Sequence, residues 1–261
     1  MDCVDFGQTG LRVSRLAFGT GTNGWGGRSE QTDLGLDRLA NLLRLAYDCG
    51  VTFWDAADAY GSHPHIARAL QSVPRDKVVI ATKTTSRTAR DVARDVERYL
   101  HELGTDVLDV VLLHYQTRED WPERCAGAME ALSRAREQGK VRAMGVSCHG
   151  LGALRAAAAT DWAQVVLARI NHVGVRMEGE PAAVVPLIER MHASGKAIYG
   201  MKVLGCGRLV GQARTAMQYV FELGTVHAIT VGISSRAQLE EDVRLVEETV
   251  RDRVSRCDAV L

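Results

Sequence analysis

A closed α/β barrel, a (β/α)8 TIM barrel with a short N-terminal hairpin, is the architecture this sequence predicts, and three observations predict it. From Arg15 onward, strand-like apolar runs alternate with amphipathic helical stretches eight times, and strands separated by helices pair in parallel. Those runs are near-continuously apolar, as strands covered on both faces must be. The length of 261 residues is close to the ~250 typical of one such barrel. No linker, low-complexity tract or charge block divides the chain, so residues 1–261 read as one domain.

Residues Val4 to Ser14 alternate weakly around Gly7-Gln8-Thr9-Gly10 and predict the hairpin. Arg15 to Gly19 is the first barrel strand. Leu36, Leu39, Leu43 and Ala46 share one helical face, stopped at Gly50, and a strand over 52–58 follows. A short helix from Ile66 to Leu70 leads through Pro74 to a strand over 78–83. Thr88 is placed to cap a helix with Val92, Val96, Leu100 and Leu103 on one face, ended by Gly104. The strand 107–114 comes next, then a helix opened by Pro122 and running to Gln138. Strand 141–147, helix 151–159, strand 165–170, helix Pro181 to Ala193, strand 197–204, helix 212–222, strand 227–233 and a helix from Ser235 to about Val250 complete the count.

Composition excludes several functions. Thirty-two basic and thirty-two acidic residues give a formal net charge of zero, so there is no footprint for nucleic acid and no polybasic membrane patch. No run approaches the ~20 apolar residues of a membrane span. The opening Met1-Asp2-Cys3-Val4-Asp5 lacks the basic and apolar regions of a signal peptide. Cys3, Cys49, Cys125, Cys148, Cys206 and Cys257 are scattered, with no Cys-x-x-Cys pair, and read as reduced thiols of a cytoplasmic protein.

The chemistry gathers at strand ends. Phe53-Trp54-Asp55 ends on a carboxylate, and Tyr60 follows beside Gly61; Ala81-Thr82-Lys83 ends on an amine; Leu112-Leu113-His114 ends on an imidazole. Ionisable groups at the ends of buried strands are costly to place there without a reason. Side chains alternate with period two, so Asp55, Lys83 and His114 each close an inward-facing row at the C-terminal rim, where barrels of this kind keep their active sites. The stretch Gly19-Thr20-Gly21-Thr22-Asn23-Gly24 matches the dinucleotide pattern G-x-G-x-x-G literally. It is followed by Trp25-Gly26-Gly27 rather than a helix, so a mobile glycine loop over a pocket is the better reading.

Several blocks in order resemble the aldo-keto reductase family: Phe6 to Ser14, Asp55-Ala56-Ala57-Asp58-Ala59-Tyr60-Gly61, Ala81-Thr82-Lys83, Leu113-His114, Gly145-Val146-Ser147, and Gly232-Ile233-Ser234-Ser235 with Gln238, Glu241 and Asp242. The resemblance implies a (β/α)8 barrel that binds NADP(H) without a Rossmann fold and reduces a small-molecule carbonyl substrate. It implies a catalytic tetrad of Asp55, Tyr60, Lys83 and His114. Tyr60 is then the acid that protonates the nascent alkoxide, with its pKa lowered by Lys83, which Asp55 keeps charged. The implied cofactor contacts are Gly19, Thr20, Asp55, Ser147, Cys148, Arg169, Met201, Lys202, Leu204, Gly205, Gly232, Ser234, Ser235, Arg236, Gln238, Glu241 and Asp242. Ser147 would bond the carboxamide. Ser234 and Ser235, just before the last helix, would take phosphate, and Arg236 would neutralise a 2′-phosphate. Ser235 with Gln238 also reads as a plain capping box.

Four positions depart from the family pattern around the nicotinamide: Cys148 for asparagine, Arg169 for glutamine, Met201 for an aromatic and Lys202 for serine. Arg169 and Lys202 read as cofactor-phosphate contacts ahead of sites for an anionic substrate. Asp242 replaces an asparagine. Short rim loops, Tyr115 to Trp121 and Gly205 to Gly211, predict an open pocket lined by Trp25, Trp54 and Trp121. His63 and His65 lack a third ligand, so no metal is expected. A non-catalytic NADP(H)-binding sensor and a Schiff-base enzyme using Lys83 are the rival readings, and a monomer or weak homo-oligomer is expected.

Overall fold

The computed structural model describes residues 1–258, with 254–258 by backbone alone, so the expectation for the Cys257 thiol lies outside the described residues. Eight strands close into a parallel barrel: β3 (Leu16–Gly19), β4 (Phe53–Asp55), β5 (Val79–Thr84), β6 (Leu108–Gln116), β7 (Val141–Cys148), β8 (Val165–Arg169), β9 (Ala197–Met201) and β10 (Ala228–Gly232), with β10 pairing back to β3. The antiparallel hairpin β1 (Cys3–Asp5) and β2 (Arg12–Ser14) precedes them. Around the barrel lie α1 (Leu36–Asp48), α2 (His63–Leu70), α3 (Ala89–Leu103), α4 (Trp121–Arg124), α5 (Ala126–Glu137), α6 (Leu151–Ala159), α7 (Pro181–Ala193), α8 (Ala213–Glu222) and α9 (Arg236–Asp258).

Strand periodicity divides the apolar residues into two layers. An inner cluster holds Ala17, Phe53, Ala81, Val110, Leu112, Leu167 and Tyr199, with Phe6, Leu11 and Val13 packed against it. Phe6 meets Phe53 at 5.4 Å and Tyr199 at 6.0 Å between ring centroids. The hairpin therefore plugs the barrel at the N-terminal ends of the strands and leaves the C-terminal ends for polar side chains. The outer cluster, between strands and helices, takes the alternate residues: Phe18, Trp54, Ile80, Val111, Leu113, Val146 and Ile198. The same alternation that buries Trp54 outward puts Asp55 inward.

Element boundaries differ from the expected ones where local chemistry intervenes. The strand expected over 52–58 stops at Asp55, because Asp58–Tyr60 winds into a 3-10 turn ended by Gly61 at φ 65°. A Cβ on Gly61 would sit 2.1 Å from the Gly27 carbonyl oxygen. The helix expected from Pro122 to Gln138 is broken at Cys125, whose φ of −109° and ψ of 13° leave the helical region. Helix α2 begins at His63, earlier than expected, with Pro64 in its first turn. Strand β9 ends at Met201 rather than Leu204, because Lys202 turns the chain at φ 58°. Thr88 caps α3 by accepting from the Asp91 N–H at 3.2 Å, and Gly104 ends it in the left-handed region, as expected.

No helix among the described residues is long and apolar enough to cross a membrane. A Cβ added at Gly145 would lie 1.8 Å from the Val165 carbonyl oxygen on the neighbouring strand. Gly145→Ala is therefore expected to lower unfolding free energy by about 2–4 kcal/mol, read as a fall in urea midpoint with little change in slope.

Candidate active site

The C-terminal mouth is built on one buried ion pair. The Lys83 ammonium donates to Asp55 Oδ1 at 2.8 Å and to the Ala56 carbonyl at 2.7 Å. The Tyr199 hydroxyl donates to the same Asp55 oxygen at 2.9 Å, and Thr230 reaches Asp55 Oδ2 at 3.4 Å. Lys83 is fully buried. Burial pulls its pKa down and the Asp55 charge pushes it back up. Removing one partner would leave an uncompensated buried charge, which is strongly destabilising.

Tyr60 sits beside this pair. Its hydroxyl lies 3.4 Å from His114 Nε2, and the Lys83 ammonium is 5.1 Å from its ring centroid. Burial, and then the Asp55 charge, push the phenol pKa well above its usual 10. Burial is the larger cause and outweighs the lowering expected from Lys83. The resting phenol is therefore protonated near neutral pH. His114 is held down to about 3 by burial and the Lys83 charge, so it is neutral. Its Nδ1 is buried without a partner, which leaves Nε2 as the atom able to hydrogen-bond.

The glycine-rich loop is explained by Tyr60. A Cβ on Gly21 would lie 2.2 Å from the Tyr60 ring, and one on Gly24 would lie 2.4 Å from it. The two glycines let the loop lie directly on the phenol, so the literal G-x-G-x-x-G is a packing motif. The buried Gln31 side chain ties the same loop to Thr22 and to the Ser234 hydroxyl. Thr20 donates to the Asp55 carbonyl and accepts from the Ser62 hydroxyl, and acts as a clip between β3 and β4.

Helix α3 fixes the turn that carries Tyr60, a function the sequence reading missed. Arg98 grips Asp58 with two bonds of 2.8 and 2.9 Å and also pairs with Asp95 and Glu102. Asp95 accepts from Thr84, next to Lys83, at 2.6 Å. Glu102 meets His63 Nδ1 at 2.6 Å, and His63 Nε2 meets Thr82 at 2.7 Å. His63 is thus a bonded core histidine. The spacing of Asp95, Arg98 and Glu102 on one helical face was the available signal.

Ser147 points inward and accepts from the Tyr115 N–H at 3.1 Å. Cys148 belongs to the outer layer, so its thiol faces away from the mouth. Arg169 and Met201 are register partners at the inner ends of β8 and β9. Arg169 donates to His149 Nδ1 at 2.6 Å and lies 3.2 Å from Glu178. Neither His149 nor Glu178 was singled out from the sequence. Lys202 forms no ion pair among the described residues, and Leu204 and Gly205 follow it on the rim. Gly232 abuts Thr22, and a Cβ on it would fall 1.8 Å from the Thr22 hydroxyl. Ser235 caps α9 by accepting from the Gln238 N–H at 3.2 Å, while Gln238 accepts from the Ser234 N–H at 2.8 Å. Arg236 pairs with Glu240, Glu241 lies 3.8 Å from Arg244, and Asp242 is buried and pushed up to about 7 by burial, then by Glu241.

Of the three tryptophans expected to line the pocket, Trp25 alone does, 60% exposed and 6.3 Å from His114 between ring centroids. Trp54 and Trp121 are buried in the outer layer, each with its indole N–H on a backbone carbonyl. Among the described residues, no group of three His, Cys, Asp or Glu side chains is placed to hold a metal ion.

Residues 15–216 match the model of the Aldo/keto reductase family. An aldo-keto reductase of Bacillus subtilis is 31% identical over 168 residues, 56% of this chain and 47% of that protein. The NADH-specific methylglyoxal reductase of Escherichia coli is 25% identical over 170 residues, covering 56% of this chain and 52% of that one. The chain thus spans about half the length of these curated relatives. A solved structure from Pseudomonas aeruginosa, described as an aldo-keto reductase, superposes with a TM-score of 0.80 at 26% identity and covers 95% of both chains.

Two outcomes follow from the site geometry. Gly21→Ala forces the loop off the Tyr60 ring, so turnover should fall at least tenfold with the fold intact by circular dichroism. The His114 imidazole should stay neutral from pH 8 to pH 5 by NMR. Its folded-state pKa of about 3 lies below the usual 6.5, so its share of stability is full above 6.5 and is lost as pH falls toward 3.

Proposed function

The chain belongs to the aldo/keto reductase family, and from that premise we propose that it reduces an aldehyde or ketone to an alcohol with NADP(H), using Tyr60 as the acid. The single observation that carries this reading is the convergence of Asp55, Lys83, Tyr60 and His114 at one mouth, with Tyr60 and His114 3.4 Å apart.

The donors present fit a nicotinamide dinucleotide. The Ser147 hydroxyl accepts from Tyr115 and keeps its own proton free for a carboxamide oxygen. The first N–H groups of α9 have no acceptor within the helix and favour phosphate. Lys202 adds a cation at the rim. Among the described residues, Arg236 is paired with the exposed Glu240, a contact weak enough to yield to a 2′-phosphate. Such a cofactor supplies the hydride when bound.

The protein's own part is to hold and move one proton. The carbonyl oxygen would sit between the Tyr60 hydroxyl and His114 Nε2. His114, being neutral, orients it through a hydrogen bond. As negative charge develops on that oxygen, Tyr60 donates its proton. Lys83 lies beside the Tyr60 ring, and its charge lowers the cost of the phenolate that proton transfer would leave. Burial raises the resting pKa, and the Lys83 charge offsets part of that cost as the proton leaves, which is where stabilisation accelerates the step. Tyr199, Thr230 and the Ala56 carbonyl hold Asp55 and Lys83 in place for that role.

Three measurements test this. NADPH oxidation with an activated aromatic aldehyde should be at least a hundredfold slower in Tyr60→Phe, with cofactor affinity by fluorescence little altered. NADPH binding with no turnover in the unsubstituted protein would favour a cofactor sensor instead. Arg236→Ala should weaken NADPH binding about tenfold or more, as loss of a charged hydrogen bond does, and leave NADH binding nearly unmoved.

A further inference from the structure

The strand that carries Lys83 and the turn that carries Tyr60 are both fastened to α3, and one side chain joins the two fastenings. Thr82 and Thr84 flank Lys83 on β5 and face the opposite way from it. Thr84 donates to Asp95 Oδ2 at 2.6 Å, and Ser86 donates to the same oxygen at 2.7 Å. Thr82 meets His63 Nε2 at 2.7 Å, and His63 Nδ1 meets Glu102 at 2.6 Å. The Arg98 guanidinium connects these carboxylates to a third. One terminal nitrogen donates to Asp58 Oδ1 at 2.8 Å and to Glu102 at 2.9 Å. The other donates to Asp58 Oδ2 at 2.9 Å and to Asp95 Oδ1 at 3.2 Å. All but one of its N–H donors are therefore committed to carboxylates. The bond to Asp58 is a fork, the arrangement that fixes direction as well as distance, and Asp58 opens the 3-10 turn that ends at Tyr60.

Stability does not account for this arrangement. The side chains of Arg98 and Asp58 are 38% and 31% exposed, so solvent screens the pair and little stability is gained from it. What directed bonds to three carboxylates supply is position. The Lys83 ammonium stands 5.1 Å from the Tyr60 ring centroid, and its help to a departing proton depends on how close it is. A misplacement of about 1 Å at a reacting centre costs about a hundredfold in rate.

We propose that Arg98 is a positioning residue for the proton transfer: it sets the separation of Tyr60 from Lys83, through Asp58 on one side and through Asp95 and Glu102 on the other. This rests on the carbonyl-reductase reading and adds to it a residue on the outer ring of helices.

The test is Arg98→Lys in the full chain. Lysine keeps the charge and the long stem but lacks the planar fork, so it cannot hold all three carboxylates in the same geometry. The variant should unfold at nearly the original urea midpoint and keep its NADPH affinity and its KM for an activated aldehyde within a few-fold. The single-turnover rate of NADPH oxidation should fall about tenfold or more. The solvent deuterium isotope effect on that rate should rise, because the slowed step moves a proton; a smaller folded fraction would leave the isotope effect where it was. Asp58→Asn should slow the same step, and the two substitutions together should cost no more than the worse of them alone. An unchanged rate in Arg98→Lys, a slower rate with an unchanged isotope effect, or two effects that multiply would each overturn the proposal. If the unsubstituted protein reduces no carbonyl, the catalytic reading fails and carbon-13 NMR of the Tyr60 ring decides the geometric claim. The signal of the ring carbon that bears the hydroxyl should move in Arg98→Lys, and a signal left in place would overturn it.

Discussion

A lysine and an aspartate share one desolvated spot at the end of two neighbouring strands, and the rest of the mouth is arranged to make that tolerable. Lys83 and Asp55 are 2.8 Å apart, and the pair is closed by the Tyr199 hydroxyl and the Ala56 carbonyl. Two buried charges rarely repay their desolvation in stability. Here their value lies in the field they create once a neighbouring group acquires charge.

The supports radiate from that pair. The hairpin plugs the opposite end with Phe6, so the apolar filling stops one side-chain layer short of the ions. Helix α3 reaches the Tyr60 turn through Arg98 and Asp58, and the Lys83 strand through Asp95 and Thr84. Two glycines seat a loop flat against the phenol from the other side. Phenol and cation are thereby held by elements distant in sequence, which is how a rigid scaffold fixes a geometry without a ligand to organise it.

The barrel and the inward row of ionisable groups at its rim were legible because both rest on local rules. Apolar runs and helix stops place the elements, and period-two alternation sends Asp55, Lys83 and His114 inward. The same rule, applied to Trp54, would have sent it outward into the core, where it lies. What was not legible depends on long-range pairing. Arg169 looked like a phosphate ligand because nothing in the sequence links it to Glu178 or His149. The glycine loop looked mobile because its partner, Tyr60, lies far along the chain. The lowered phenol pKa left out burial, which is the larger cause of its rise.

The most direct test of the central claim removes the cation while sparing the acid. Lys83→Met combined with Asp55→Asn takes both charges out of the mouth together and so avoids a lone buried ion. The double variant should bind NADPH within a few-fold of the unsubstituted protein and reduce an activated aldehyde at least a hundredfold more slowly. Turnover at the original rate would contradict the account, since Tyr60 would then need no neighbouring charge to give up its proton.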